Sequence, residues 1–584
     1  MTSRTSCFNP ALFRKNLTRF APMWGIFLGL LLVTGPLSLI TSLANGHYYT
    51  AEIAIGSRYA SAEAFLNNYP NITCIFSFVY ALLCGAACFE YLHKARSAYM
   101  MHAFPMTRNC HFFTNVLSGL CFALVPYFAA DLLMLLIVSI YGIGSLAGQI
   151  LLLLVKTTLQ YFCFFGIAVF CMHLTGNTII GILSYFAASF IGWALPALIT
   201  NTIVQPLFYG FAEPAFSFTA LSPVIKLMET GSTLKSAWIY VYAALGIGLL
   251  IAAWLHYRVR HMERAGDAMV YGWAKVVFLV LFTAMVGLLI ALASYMILSG
   301  GISPADNTLL FTICLLIGLF VAYFGGQMML GRTTRVFRGK HFWLGYAAFA
   351  AAAILGIVCL RTDVLGLQRK VPTAEQIEYV EMSTQNQGGY MAYTASDSDT
   401  IRISDAEGLA LVTQMHKAAI DERGREPSRD YWDVEVDGQW VSFNLVYHLK
   451  NGSTMTRAYN VFSKTVYQNG KTLYSDPARA KKYYEGVIPQ HFAEVSITDM
   501  EGNGYEIDRP DLLREAILAD AAAGRLPIIN CFTEGTDSDE LEVTLWTSAK
   551  SERPIVFLIN TNATQTMALL EKVEWTEPEV DAKR

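Results

Sequence analysis

Two charged side chains stand where charge is expensive. Asp131 lies inside the apolar run Val116 to Tyr141, and Lys156 lies inside the run Gln149 to Cys171. An ionised group in hydrocarbon needs a partner, a water-filled path or a cargo, so each is a candidate functional residue. With the turn Gly142 to Gly148 as the hairpin between the runs, both residues lie at similar distances from its centre. At about 1.5 Å per residue their depths differ by only a few Å. They are expected to form an intramembrane pair, either a salt bridge fixing two helices or a contact for substrate or protons.

The second constellation is Glu90 to Phe113, a polar and basic interruption between two long apolar runs. It carries Glu90, Tyr91, His93, Lys94, Arg96 and Tyr99, then Phe104-Pro105-Met106-Thr107-Arg108. Such a stretch does not lie in lipid. Its pattern predicts an amphipathic surface helix with Tyr91, Ala95, Tyr99 and Phe104 on one side, stopped by Pro105 and anchored by Arg108. At its start Glu90 is either solvated or paired with Lys94 at i,i+4.

Recognisable catalytic chemistry is missing. No Gly-x-x-x-x-Gly-Lys-Ser/Thr phosphate loop, His-Glu-x-x-His or Gly-x-Ser-x-Gly occurs, and His416, His448 and His491 are isolated. Leu298-Ser299-Gly300-Gly301 is similar to the start of the ABC ATPase signature but ends an apolar run without the accompanying motifs. Neither an enzyme nor a cofactor or metal is expected, and no basic stripe points to nucleic acid. Ten of the 11 cysteines precede the soluble region and read as small apolar fillers, leaving Cys531 alone there.

The elements that position these residues follow from hydropathy. The chain has 584 residues, of which 54% are hydrophobic and 15% charged, with acids sparse before Arg361 and frequent after it. At about 20 apolar residues per span, nine spans are expected. They run near Ala21 to Thr41, Ile72 to Phe89, Val116 to Tyr141, Gln149 to Cys171, Thr178 to Thr200, Trp238 to Leu255, Val276 to Leu298, Leu309 to Leu330 and Phe342 to Leu360. Lys and Arg collect in alternate connections, including Arg14, Lys15 and Arg19, then Lys94, Arg96 and Arg108, then Arg258, Arg260 and Arg264. That bias puts the N-terminus in the cytoplasm and, after an odd number of spans, the C-terminal domain and Cys531 outside the cell. The aromatic, proline-punctuated connection Asn201 to Ala237 reads either as short helices dipping into the membrane or as a plain external loop.

From about Gln368 the pattern changes to short strands and helices. One set is Ile377 to Met382, Thr400 to Ile403, a helix Asp405 to Arg423 and a hairpin, Val441 to Lys450 with Met455 to Phe462, turned at Asn451-Gly452. A second set repeats it: Ala493 to Thr498, Tyr505 to Ile507, a helix Asp511 to Ala523 capped by Asp508, and Leu541 to Trp546 pairing with Ile555 to Ile559. Each hairpin is followed by a helical stretch, Pro477 to Glu485 and Thr564 to Lys572. The fold class is therefore mainly α: a polytopic helical membrane protein followed by a soluble, internally duplicated α+β domain, 368–490 and 491–584.

The basic interruption resembles the first cytoplasmic loop of type-2 ABC exporter permeases, whose coupling helix docks on an ATPase subunit. The family's bacterial branch often carries Ser-Leu-Pro-Ile-x-Arg; here Pro105 and Arg108 match, while Ala103, Phe104 and Met106 depart. The resemblance covers 1–264, a six-span core, to which 265–367 adds three spans. It implies a separate cytoplasmic ABC ATPase, contacted through Tyr91, Arg96, Tyr99, Phe104, Pro105 and Arg108, and a second permease subunit in a lipid membrane. The expected function is ATP-driven export of a drug, peptide or lipid-like molecule. The alternative is a membrane-anchored sensor or scaffold presenting the C-terminal domain outside the cell, for which nine spans are more than an anchor needs.

Overall fold

The computed structural model describes residues 7–45, 51–212, 218–229, 236–338, 340–384, 400–423, 440–499, 504–507, 509–530, 532–533, 540–546 and 555–573. Cys531 and Asp508 lie outside them. Two compact units emerge, one of residues 1–203 and 216–357, the other of residues 204–215 and 358–584.

The first unit is helical. Its elements are α1 (Pro10–Arg19), α2 (Ala21–Leu32), α3 (Ser38–Asn45), α4 (Ala51–Phe89), α5 (Ala95–His102), α6 (Arg108–Ile140), α7 (Ala147–Leu174) and α8 (Thr178–Ile199). After α9 (Gln205–Leu207), which belongs to the other unit, come α10 (Pro223–Glu229), α11 (Ala237–Val259), α12 (Gly272–Ser299), α13 (Thr308–Gly331) and α14 (Lys340–Thr362), whose last residues from 358 also count with the other unit. Among the described residues nine helical segments are long and apolar enough to cross a membrane, so the protein is a multi-pass membrane protein by length and composition.

Sequence sets the boundaries locally. Thr107 caps α6 by accepting from Cys110 N at 3.2 Å, and Asn177 caps α8 by accepting from Ile179 N at 2.9 Å. Pro36 sits in the π-helical turn Val33–Leu37 between α2 and α3, where its missing N–H fits a wider turn. At 39 residues α4 is about twice the length needed to cross a bilayer, so it continues beyond its apolar half.

Small residues allow close packing where hydrocarbon offers no hydrophobic drive. A Cβ on Gly166 of α7 would stand 2.2 Å from Gly246 O of α11, and one on Gly318 of α13 would stand 2.4 Å from Gly287 O of α12. The connection before α11 folds into short helices that pack among the spans. Val224 and Leu227 of α10 are buried, Ser222 Oγ donates to Ser189 O at 2.8 Å, and Tyr242 donates to Ala220 O at 2.6 Å.

The second unit holds two antiparallel sheets. β1 (Ile377–Thr384), β2 (Ile401–Ile403), β3 (Trp440–Leu449) and β4 (Thr454–Phe462) assemble in the order β2-β1-β3-β4. β5 (Glu494–Asp499), β6 (Gly504–Ile507), β7 (Glu540–Trp546), β8 (Ile555–Asn560) and β9 (Leu570–Val573) assemble as β8-β7-β5-β6-β9. Read from the other edge, the second sheet repeats the order of the first and adds β9. The segment expected to be helical through Lys572 instead ends its helix at Met567 and pairs Leu570–Val573 with β6, because an open edge offers hydrogen bonds to β9.

The helices of this unit are α15 (Ala406–Asp421), α16 (Lys464–Tyr474), α17 (Pro477–Val487), α18 (Leu513–Ala522) and α19 (Thr564–Met567). One apolar core joins both sheets, including Met382, Phe443 and Tyr447 with Phe532, Leu541 and Ile559. His416 of α15 lies inside it, between the hydroxyls of Tyr447 at 2.9 Å and Tyr459 at 2.8 Å. The segment 204–212 belongs to this unit: Tyr209 donates from its hydroxyl to Ala419 O at 2.7 Å and from its backbone N–H to Gln368 Oε1 at 3.2 Å.

Candidate functional site

The basic interruption folds as a 3-10 turn, Glu90–Leu92, followed by the two-turn helix α5. Glu90 pairs with Lys94 at 2.5 Å, the i,i+4 alternative. The loop's two sides differ in chemistry. Outward it presents an apolar group that water does not favour: Tyr99 is 57% exposed, Met100 59% and Phe104 45%, with Arg96 and Pro105 also exposed.

Its inner side is tied to the ends of three spans. Arg108 at the start of α6 donates from Nη1 to Arg258 O at 2.9 Å and Arg260 O at 3.1 Å, carbonyls left free where α11 ends. Arg260 is buried at 2% exposure and donates to His173 O at 2.8 Å, Thr175 O at 3.0 Å and Leu92 O at 3.1 Å. One guanidinium thus gathers the terminal carbonyls of α7 and of the turn after α4, where the helix dipole favours a cation. His93 completes the joint, with Nε2 on Met172 O at 2.9 Å and Nδ1 on Thr178 Oγ1 at 3.0 Å. Burial, with the Arg260 charge adding to it, pushes the His93 pKa down to about 4, so this imidazole is neutral near pH 7.

A hydrogen-bond chain runs from the end of α4 to α5. Tyr91 and Tyr257 share a bond of 3.1 Å, Tyr257 lies 3.0 Å from His102 Nε2, and His102 Nδ1 lies 2.9 Å from Ala98 O. The carbonyl requires Nδ1–H, so Nε2 accepts from Tyr257, whose oxygen accepts from Tyr91. Burial lowers the His102 pKa, and the charges of Arg108 and Arg260 lower it further.

The six loop residues named from sequence therefore divide. Arg96, Tyr99, Phe104 and Pro105 are exposed, whereas Tyr91 faces the interior and Arg108 spends its guanidinium on α11. The expectation that Tyr91 shares the outward face with Tyr99 is corrected: the chain leaves α4 through a 3-10 turn, which breaks the helical spacing between them. Arg260, His93, His102 and Tyr257 were missed as site residues. For Arg260 the signal was its position directly after an apolar run, where its side chain can return to the helix ends.

Asp131 and Lys156 are buried, at 4% and 2% exposure, but they do not pair. Asp131 Oδ2 and Lys156 Nζ each lack a hydrogen-bond partner, and no ion pair joins them. Counting residues from the turn did not place them level. Asp131 lies in the electrostatic neighbourhood of Tyr69, and Lys156 in that of Cys74. Those positions on α4 are about 7 Å apart along the helix axis. Gln160, one turn beyond Lys156, is also buried with both amide ends unpartnered.

The chain matches no family model, no curated protein and no solved structure.

Proposed function

We propose that the protein is the transmembrane subunit of an ATP-driven exporter and that α5 and the residues following it form its contact with a separate ATPase. The supporting observation is the two-sidedness of this loop. An exposed apolar cluster, Tyr99, Met100 and Phe104, sits in a loop whose other residues bond to the span ends, His93 to Met172 O of α7, His102 to Tyr257 of α11 and Arg108 to Arg258 O of α11, with Tyr91 after α4 joined through Tyr257. In this reading a push on the cluster is passed to those spans through these hydrogen bonds. Such a surface fits a partner groove in which apolar anchors supply the grip and rim charges such as Arg96 supply orientation.

In this reading the basic connections face the cytoplasm of a cell membrane, the C-terminal unit faces outward, and a second permease subunit completes the assembly. The cargo class is a drug, peptide or lipid-like molecule, as an apolar pathway with few charges suits. The sensor alternative predicts no associated ATPase. Co-purification of the full chain with an ATPase subunit, and its loss in Phe104→Ala, tests the proposal; a partner fully retained by the variant overturns the assignment of this loop.

A further inference from the structure

A groove of about 440 Å³ opens between α7 and α8 on one side and α12 and α13 on the other. That volume falls within the roughly 300–1,000 Å³ of sites that take one small ligand. Its walls are aromatic and aliphatic, with Phe186 and Phe190 facing Phe278, Phe282 and Met285, and a lone polar group, the unpartnered hydroxyl of Ser184. Three of its helices contribute the end nearest the basic connections, α7 its last turns to Leu174, α12 its first half from Trp273 and α13 Met329 near its close, while α8 lines it along its middle from Leu183 to Ala194.

Cations stand at that end. Lys275 precedes Phe278 and Phe282 by three and seven residues, which places it on their side of α12, and it enters no ion pair among the described residues. Arg332, three residues after Met329, reaches Asp267 at only 3.9 Å with both side chains about half exposed. The ligand that combines a long apolar body with an anionic head at a membrane surface is an anionic phospholipid.

We propose that this groove binds one acyl chain of an anionic phospholipid, its headgroup held by Lys275 and Arg332. The site stands on the first unit alone and does not depend on the ATPase reading. Bound lipid would fill the seam that joins the last three spans to the others.

The full chain reconstituted in nanodiscs tests this with phosphatidylglycerol and phosphatidylcholine carrying the same dibrominated acyl chain. The emission of Trp273 is taken as the difference between the parent and Trp273→Phe. Brominated phosphatidylglycerol is expected to half-quench that signal at a mole fraction at least about fivefold below phosphatidylcholine, and Lys275→Gln to reduce the preference by about fivefold. Ala187→Phe, which fills the groove from an exposed lining position, should leave only the quenching common to both lipids. Ala194→Phe serves as a second filler should the first not fold. Identical curves for the two lipids in the parent protein, or an unchanged preference in a folded filler variant, overturns the proposal.

Discussion

The hydroxyl of Tyr257 lies 3.0 Å from His102 Nε2 and 3.1 Å from the hydroxyl of Tyr91, so a single phenol at the end of α11 links α5 to the end of α4. Tyr257→Phe removes both bonds while keeping the ring among its neighbours. Losing partners for buried polar groups costs about 1–3 kcal/mol. Under the proposed exporter function, the expected outcome is ATPase association close to that of the parent with reduced ATP-dependent efflux, measured in the same vesicles. Parent-level efflux would remove this chain from the coupling path.

Phe104 and Arg96 separate anchor from rim. Truncating a central aromatic commonly costs about 2 kcal/mol or more of binding, so Phe104→Ala should release the ATPase subunit that we propose docks on this loop. Arg96→Ala should weaken assembly less, with the deficit growing at low salt where exposed charges matter most. The measurement is ATPase recovered on purified membrane subunit at two salt concentrations. Equal losses would mean that charge rather than apolar contact holds the partner.

Arg260 tests the joint itself. Arg260→Met keeps most of the apolar stem but leaves the carbonyls of His173, Thr175 and Leu92 without this donor. A loss of about 3 kcal/mol or more is expected, read as a lower unfolding temperature in detergent. Arg260→Lys should recover only part, because one ammonium does not span the same fork. Full stability in Arg260→Met would show that water replaces the guanidinium at no cost.

His416 makes the second unit acid-sensitive. Burial pushes its pKa down to about 3, so the folded state holds the imidazole neutral while the unfolded chain takes up a proton near pH 6.5. Stability is then complete above the unfolded value and falls as pH drops through 6.5 toward 3. The loss reaches about 2 kcal/mol at pH 5. Comparing unfolding of the full chain at pH 7 and pH 5 with that of His416→Gln checks this; equal pH dependence in the two would assign the sensitivity to other groups.

Asp131 and Lys156 should act independently. With no bond between them, the effects of Asp131→Asn and Lys156→Met on thermal stability should add to within about 0.5 kcal/mol in the double variant. Either change relieves a buried charge, so stability should hold or rise. Loss of transport without loss of stability would mark a residue as part of the pathway. A coupling energy well above that margin would restore the pair.

The spans were legible in the sequence because a helix in hydrocarbon must satisfy its own backbone and carry about 20 apolar residues, a local requirement. The position of the basic loop was legible for the same reason, since it is where that requirement lapses. Period-two alternation and the Asn451-Gly452 turn likewise placed β3 and β4 within a residue or so of their observed ends. What tertiary structure alone decided is direction. Tyr91 and Tyr99 are both aromatic residues in one loop, yet one turns inward to Tyr257 and the other outward, because a 3-10 turn lies between the helices. Arg108 and Arg260 look like topology signals in sequence, and only the convergence of α4, α7 and α11 makes them clamps for carbonyls. Asp131 and Lys156 are nearly equidistant from their turn by residue count, yet Asp131 lies by Tyr69 and Lys156 by Cys74, at different levels of α4, because the level of each helix against its neighbour is set by packing and not by counting.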